Sequence, residues 1–193
     1  MSVAQELAAV AARLVVDEGM EYSAAKRKAA RDFGSRPELP SNEQVEDAVR
    51  EHIELFCVDT QPAELHALRE AAQVWMGRMA EFRPHVSGAV WRGTATRLSS
   101  VHLDLYCDDP KAAEIALVNA GVHYDVGSLN RPGREPLSVI TVSERSLALG
   151  DHVTLHLMLH DLDDQRGALK PDARGRSWRG DLAALQRLME TRT

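Results

Sequence analysis

The chain is poor in the features that would place it in a special class. It has two cysteines in 193 residues, Cys57 and Cys107, each inside an apolar run (LFCV and LYCD). Two thiols this far apart make neither a disulfide framework nor a zinc site, and the expectation is reduced, partly buried side chains. A basic stretch followed by an apolar segment and a cleavage site is lacking at the N-terminus, so no secretory signal is expected. No apolar run approaches the length that spans a bilayer, and no membrane partner is expected. An excess of positive charge is lacking too. The formal net charge is −6, which argues against coating nucleic acid by bulk attraction but leaves room for a local basic patch. There is no internal repeat, and compositional bias is limited to alanine-rich helical stretches. A cytoplasmic, bacterial-type protein is the expectation.

What is present is ordinary globular composition, 44% hydrophobic and 27% charged, with length for one domain or one domain plus an appendage. The first part reads as helical. In AQELAAVAARLVVDEG, the residues Leu7, Val10, Ala11, Leu14 and Val15 share a face, and Gly19 follows as a stop. A short basic helix follows, YSAAKRKAARDFG, with Ser23 as N-cap and Gly34 as stop. After the proline-containing break SRPELPSN, Ser41 and Gln44 form a capping pattern ahead of the stripe Val45, Val49, Ile53 and Phe56. A fourth helix follows Pro62, with Leu65, Leu68, Ala72, Trp75, Met79 and Phe82 facing inward. Residues 1–83 are therefore expected to form a helical segment, with a homodimer interface as one reading of its apolar faces.

Beyond Pro84 the texture changes to short β-type runs, VSGAVW, VHLDLYC, VHYDVG, LSVITVS and HVTLHLML. One helix interrupts them, DPKAAEIALVNAG, capped by Asp108 or Asp109 with Pro110 in its first turn. Residues 86–161 thus predict β-β-α-β-β-β, a small mixed sheet with helices packed on it. The tail reads as a polar loop and a final helix capped by Asp181. The expected fold class is α+β, with residues 84–193 as the α+β domain. In HVTLHLMLH, alternation puts Val153, Leu155, Leu157 and Leu159 on a core face and His152, Thr154, His156, Met158 and His160 on the other.

The stretch SGAVWRGTATRLSSVHLDLYCDDP gives Gly88-Ala89, then Arg92-Gly93-Thr94-Ala95-Thr96, then Ser99-Ser100-Val101-His102. Without a gap, this spacing resembles the signature of the nucleotidyltransferase superfamily of the DNA polymerase beta-like minimal type: a Gly-Ser turn, Arg-Gly-x-Ala-Thr, then Ser-Asp-x-Asp entering a strand. The resemblance implies a phosphate turn shaped by Gly88, Ala89 and Gly93, with Arg92 or Arg97 pairing phosphate oxygens. It also implies Mg²⁺ or Mn²⁺ with a nucleoside triphosphate, held by two strand carboxylates and a third from a later strand.

The sequence departs from that pattern where the chemistry sits. Ala89 replaces the turn serine, Ser100 the first aspartate and His102 the second. A hydroxyl and an imidazole are poor replacements for carboxylates on a hard cation. In a competing register His102-Leu103-Asp104 is the carboxylate pair, leaving Asp104 as one displaced metal ligand beside His102; the first register also accommodates the Arg-Gly-x-Ala-Thr element. Ser100, His102, Asp104 and, from the later strand, His156 are the candidate catalytic residues.

Three functions follow as expectations. The first is nucleotidyl transfer in altered form. The second is a non-catalytic binding or regulatory module on the same scaffold, its active site degenerate. The third, disfavoured by net charge, is RNA association through the KRKAAR helix and the loop bearing Arg166, Lys170, Arg174, Arg176, Trp178 and Arg179. The bland reading of that loop is a solvated surface segment.

Overall fold

Two reciprocal capping boxes fix where the N-terminal helices begin. Ser2 and Gln5 start α1 (Val3–Glu18), and Ser41 and Gln44 start α3 (Asn42–Phe56). In each, the hydroxyl accepts from the N3 backbone N–H while the glutamine side chain takes the cap N–H, satisfying two donors that the helix itself cannot. The computed structural model describes residues 2–31, 33 and 37–191, so Gly34 lies outside the described residues. Between these helices lies α2 (Tyr22–Arg31), which begins one residue ahead of Ser23 and so does not use it as a cap.

The chain divides into two compact units, Met1–Leu65 with Thr94–Ser99, and His66–Gly93 with Ser100–Thr193. In the first, Leu7, Ala11, Leu14, Val15, Ala25, Ala29, Val45, Val49 and Ile53 form one buried cluster across α1, α2 and α3. Gly19 closes α1 at φ +67°, and a Cβ there would stand 2.9 Å from the Leu98 carbonyl oxygen, so both backbone and space call for glycine. The Ala95 carbonyl accepts from the Gln61 side chain at 2.8 Å, and the Arg97 N–H donates to Glu64 at 2.9 Å. Gln61 opens α4 (Gln61–Arg78), whose inward positions Leu65, Leu68, Ala72 and Trp75 are buried as the periodicity predicts, along with Met79 and Phe82 beyond its end.

The second unit is α+β. Its six strands are β1 (His85–Ser87), β2 (Val101–Tyr106), β3 (Asp125–Leu129), β4 (Leu137–Ser146), β5 (Asp151–His160) and β6 (Arg179–Gly180). They lie in the order β3-β4-β5-β2-β1-β6. Only β2 and β5 run parallel; every other neighbouring pair is antiparallel. The helices are α5 (Gly88–Arg92), α6 (Pro110–Asn119), the short α7 (Gln165–Ala168) after a 3₁₀ turn, and α8 (Leu182–Glu190). Asp109 caps α6 with Pro110 in its first turn, and Asp181 caps α8. One face of the parallel pair is fully apolar: Val101, Leu103 and Leu105 lie beside Leu155, Leu157 and Leu159, all buried.

Further local expectations change. Phe56, read as part of the apolar stripe of α3, is exposed. The run VSGAVW is a strand only to Ser87; Gly88 at φ +65° turns the chain, and Gly88–Arg92 is helical. The third strand covers residues 125–129, not 122–127, and every residue in it is exposed. Among the described residues no helix is long and apolar enough to cross a membrane, and both cysteines are free, Cys107 buried and Cys57 half-buried.

Candidate functional site

The side of the β5-β2-β1-β6 segment opposite the apolar face is polar, and cross-strand register builds it. Thr141 pairs with His156, His156 with His102, His102 with Ser87, and Ser87 with Arg179. Paired residues share a face, so these five side chains form one row across five strands. The next row sets Met158 beside Asp104 and Asp104 beside His85; Tyr106 pairs with His160 one step further. Strand alternation in two segments that sequence alone separates by half a hundred residues thus makes one histidine-rich surface.

The structure brings His102 and His156 together, their ring centroids 5.5 Å apart and edge-on. His156 Nδ1 is 3.1 Å from the Thr141 hydroxyl. Gly88 lies beside them: a Cβ there would come within 3.2 Å of His102 Nδ1. Ala89 and Gly93 belong to the same turn of helix, Gly93 ending α5 at φ +82°. Two carbonyls of α5 are held by Arg69, a buried arginine whose Nε donates to the Val90 carbonyl at 3.1 Å and Nη2 to that of Trp91 at 3.4 Å. Ser100 precedes β2 as a half-buried residue.

Asp104 is turned to other partners. His160 Nε2 donates to its Oδ1 at 2.7 Å, and Arg179 Nη1 lies 3.2 Å from its Oδ2 without hydrogen-bond alignment. The carboxylate is only 4% exposed. Burial pushes its pKa up, but the His160 hydrogen bond, the Arg179 and His160 charges and the Ser87 hydroxyl outweigh that and hold it below the ordinary value. Tyr106 completes the network. Its hydroxyl accepts from Arg179 at 3.0 Å, its ring stacks on His160 at 5.3 Å, and His85 meets it edge-on at 5.5 Å. Burial, then the Asp104 charge, raise the Tyr106 pKa. His85 donates through Nδ1 to the Arg83 carbonyl at 2.9 Å, which fixes its tautomer because a carbonyl only accepts.

These residues do not fit a two-metal site. Asp104 is the only carboxylate on β2, it is buried, and it is already hydrogen-bonded by His160 and paired with Arg179. Ser100, His102 and His156, at which the expected pattern would want carboxylates, carry none. Among the described residues no group of three or more His, Cys, Asp or Glu side chains is placed to hold a metal ion.

The arginines expected to meet phosphate fall in different units. Arg97 is exposed in the first unit. Arg92 is almost wholly enclosed in the second, its side chain 6% exposed. Its Nη2 binds Asp172 at 3.0 Å, its Nη1 the Ser177 carbonyl at 3.1 Å, and its guanidinium lies over Trp178 at 4.5 Å. Asp172 also accepts from the backbone N–H groups of Arg174 at 2.9 Å and Arg176 at 2.8 Å. Desolvation would raise the Asp172 pKa, yet the Arg176 N–H, the Arg92 guanidinium and the Arg174 N–H bring it to about 2. Trp91 Nε1 donates to the Ser177 carbonyl at 3.0 Å as well. The basic tail loop is therefore a folded element clamped onto α5, and its Trp178 is engaged by Arg92.

Sequence reading missed this clamp because Asp172 and Arg92 are 80 residues apart and neither has a local pattern. An Arg92→Ala chain should lose the clamp while keeping the sheet. Removing a charge-assisted hydrogen bond shifts a local opening equilibrium by roughly tenfold or more. Trypsin cleavage after Arg174 and Arg176 at neutral pH is expected to accelerate by that factor. Because the folded-state pKa of Asp172 is depressed, its contribution is complete above the unfolded value and is lost as pH falls from about 4 toward 2.

No known protein-family model matches the sequence, and no curated protein is significantly similar to it.

Proposed function

We propose that this chain is a nucleotidyltransferase-like protein that has lost two-metal nucleotidyl transfer and acts as a binding module on that scaffold. The observation that carries the reading is the state of Asp104: the one carboxylate on the motif strand is enclosed, hydrogen-bonded by His160 and paired with the Arg179 guanidinium. Two further features support the scaffold. Gly88, at positive φ, backs directly onto the residue in the second aspartate position. The parallel register sets His156 opposite His102, which is compatible with a later strand lending a third group to the site.

The loss is chemical, not merely positional. Two-metal transfer needs anionic oxygens bridging both ions to activate the attacking hydroxyl and neutralise the leaving phosphate. Imidazole nitrogens and a serine hydroxyl supply no such charge. What His102, His156 and Thr141 offer is hydrogen bonding to a polar group lying across the sheet.

Incubating the full chain with ATP, GTP, CTP or UTP and Mg²⁺ or Mn²⁺ is expected to release no pyrophosphate above background, in wild type and in His102→Ala alike. Metal-dependent release that drops a hundredfold or more in His102→Ala, roughly the loss of one essential catalytic group, would overturn the proposal and restore the enzyme reading.

A further inference from the structure

At the carboxyl ends of the parallel strands β2 and β5 the sheet opens into a cleft of about 450 Å³. Its floor is Tyr106 and His160, the last residues of the two strands. Three arginines reach it: Arg179 from β6, and Arg131 and Arg134 from the hairpin loop joining β3 to β4. Asp163 and Asp164, on the turn that leads into α7, also line it. The volume is that of a small-molecule site.

Asp164 forms ion pairs with Arg131 Nη1 at 3.8 Å and Arg134 Nη1 at 3.9 Å; both are longer than a hydrogen bond, so they offset charge without taking up the arginine N–H donors. Arg131 is steadied by its Nε, which donates to the Glu135 carbonyl at 3.1 Å within the same loop. Arg179 is oriented by Tyr106 and Asp104. The convergent guanidinium groups suit a phosphate, which accepts through several oxygens at once. A ligand that was anionic throughout would be repelled by Asp163 and Asp164. Carboxylates are acceptors only, and they suit hydroxyl groups.

We infer that this cleft binds a small phosphomonoester of a polyol, with the phosphate on Arg131, Arg134 and Arg179 and the hydroxyls on Asp163 and Asp164. The site owes nothing to triphosphate or metal. It shares His160 and Arg179 with the Asp104 network that carries the functional proposal, but its test changes Arg131 and Arg134, which lie outside that network, so either can fail alone.

Ribose 5-phosphate, ribose and inorganic phosphate are the probes, titrated calorimetrically into the full chain with EDTA at low salt. Saturable binding of ribose 5-phosphate is expected, tighter than inorganic phosphate, with none for ribose, and weakening as salt is raised. Arg131→Ala/Arg134→Ala should lose at least tenfold in affinity. Both residues lie on a hairpin loop, so circular dichroism melting should match wild type. Arg134→Glu, which reverses one charge, should weaken binding at least as much as Arg134→Ala. Arg179 is left unchanged because it also serves Asp104. No saturation by about 10 mM ribose 5-phosphate, weaker than about −3 kcal/mol of binding, would overturn the assignment. So would equal binding of ribose or inorganic phosphate, or unchanged affinity in the double variant.

Discussion

Asp104→Ala should destabilise the second unit by about 3 kcal/mol, a drop in Tm of roughly 10 °C. The substitution strips the counter-charge from Arg179 and the acceptor from His160, while both stay held near the sheet by Tyr106. Breaking a buried pair from one side costs more than the pair is worth, because the remaining charge stays behind. Asp104→Asn keeps an oxygen for His160 Nε2 while removing the charge, so it should fall between wild type and alanine. Thermal melts of the three proteins at neutral pH test the order. An open metal ligand behaves in the opposite way: removing a carboxylate from a cluster poised for cations relieves repulsion and leaves stability unchanged or raised. A neutral or stabilising Asp104→Ala would therefore argue for the enzyme and against the enclosed network.

The same network sets a pH dependence whose sign is fixed. The folded-state pKa of Asp104 is depressed, so the unfolded chain takes up the proton first as pH falls. Stability from this group is fully present above the ordinary carboxylate value and declines as pH drops through and below it. The Asp104→Asn protein cannot lose what it lacks, and its melting temperature should fall less steeply than wild type between about pH 5 and pH 3. Asp172 contributes a similar slope from the tail clamp, and it remains in both proteins.

What could be read from the sequence was local and periodic. HVTLHLMLH states both faces of β5 without help, and Val153, Leu155, Leu157 and Leu159 are buried as alternation demands. Ser41 with Gln44 and Asp109 with Pro110 name the starts of two helices, because capping is settled within four residues. Elements decided by distant partners were not legible. The run GAVWR has β-type composition yet is helical, since Gly88 turns the chain and Arg69 holds the helix's carbonyls from another element. As an edge strand with all residues exposed, β3 carries no alternation. At the site, the pairing of His102 with His156 followed from two alternating strands once they were placed side by side. The capture of Asp104 by His160, 56 residues away, did not. Neither did the enclosure of Arg92, which looks in sequence like a phosphate ligand and in three dimensions anchors the tail.

That anchor makes the second large prediction. Gly180→Ala should cost about 3 kcal/mol, although the change is one methyl group and the glycine has an ordinary φ. A Cβ at Gly180 would lie under 3.0 Å from three atoms of the Trp91 ring. The ring cannot step aside freely, because its Nε1 donates to the Ser177 carbonyl, and moving it breaks that bond. Nor can the Gly180 backbone retreat, because it pairs with Val86 between β1 and β6. Relief must therefore come from opening the edge strand or expelling the indole, and either loosens the segment that carries Arg179 to Asp104. A double-mutant cycle separates the clash from any intrinsic effect of alanine at this position. With Trp91→Ala in the background the space is free, and adding Gly180→Ala should then cost less than about 0.5 kcal/mol, the ordinary range for a substitution that meets nothing. A full penalty in both backgrounds would mean that backbone conformation, not the indole, requires glycine at residue 180.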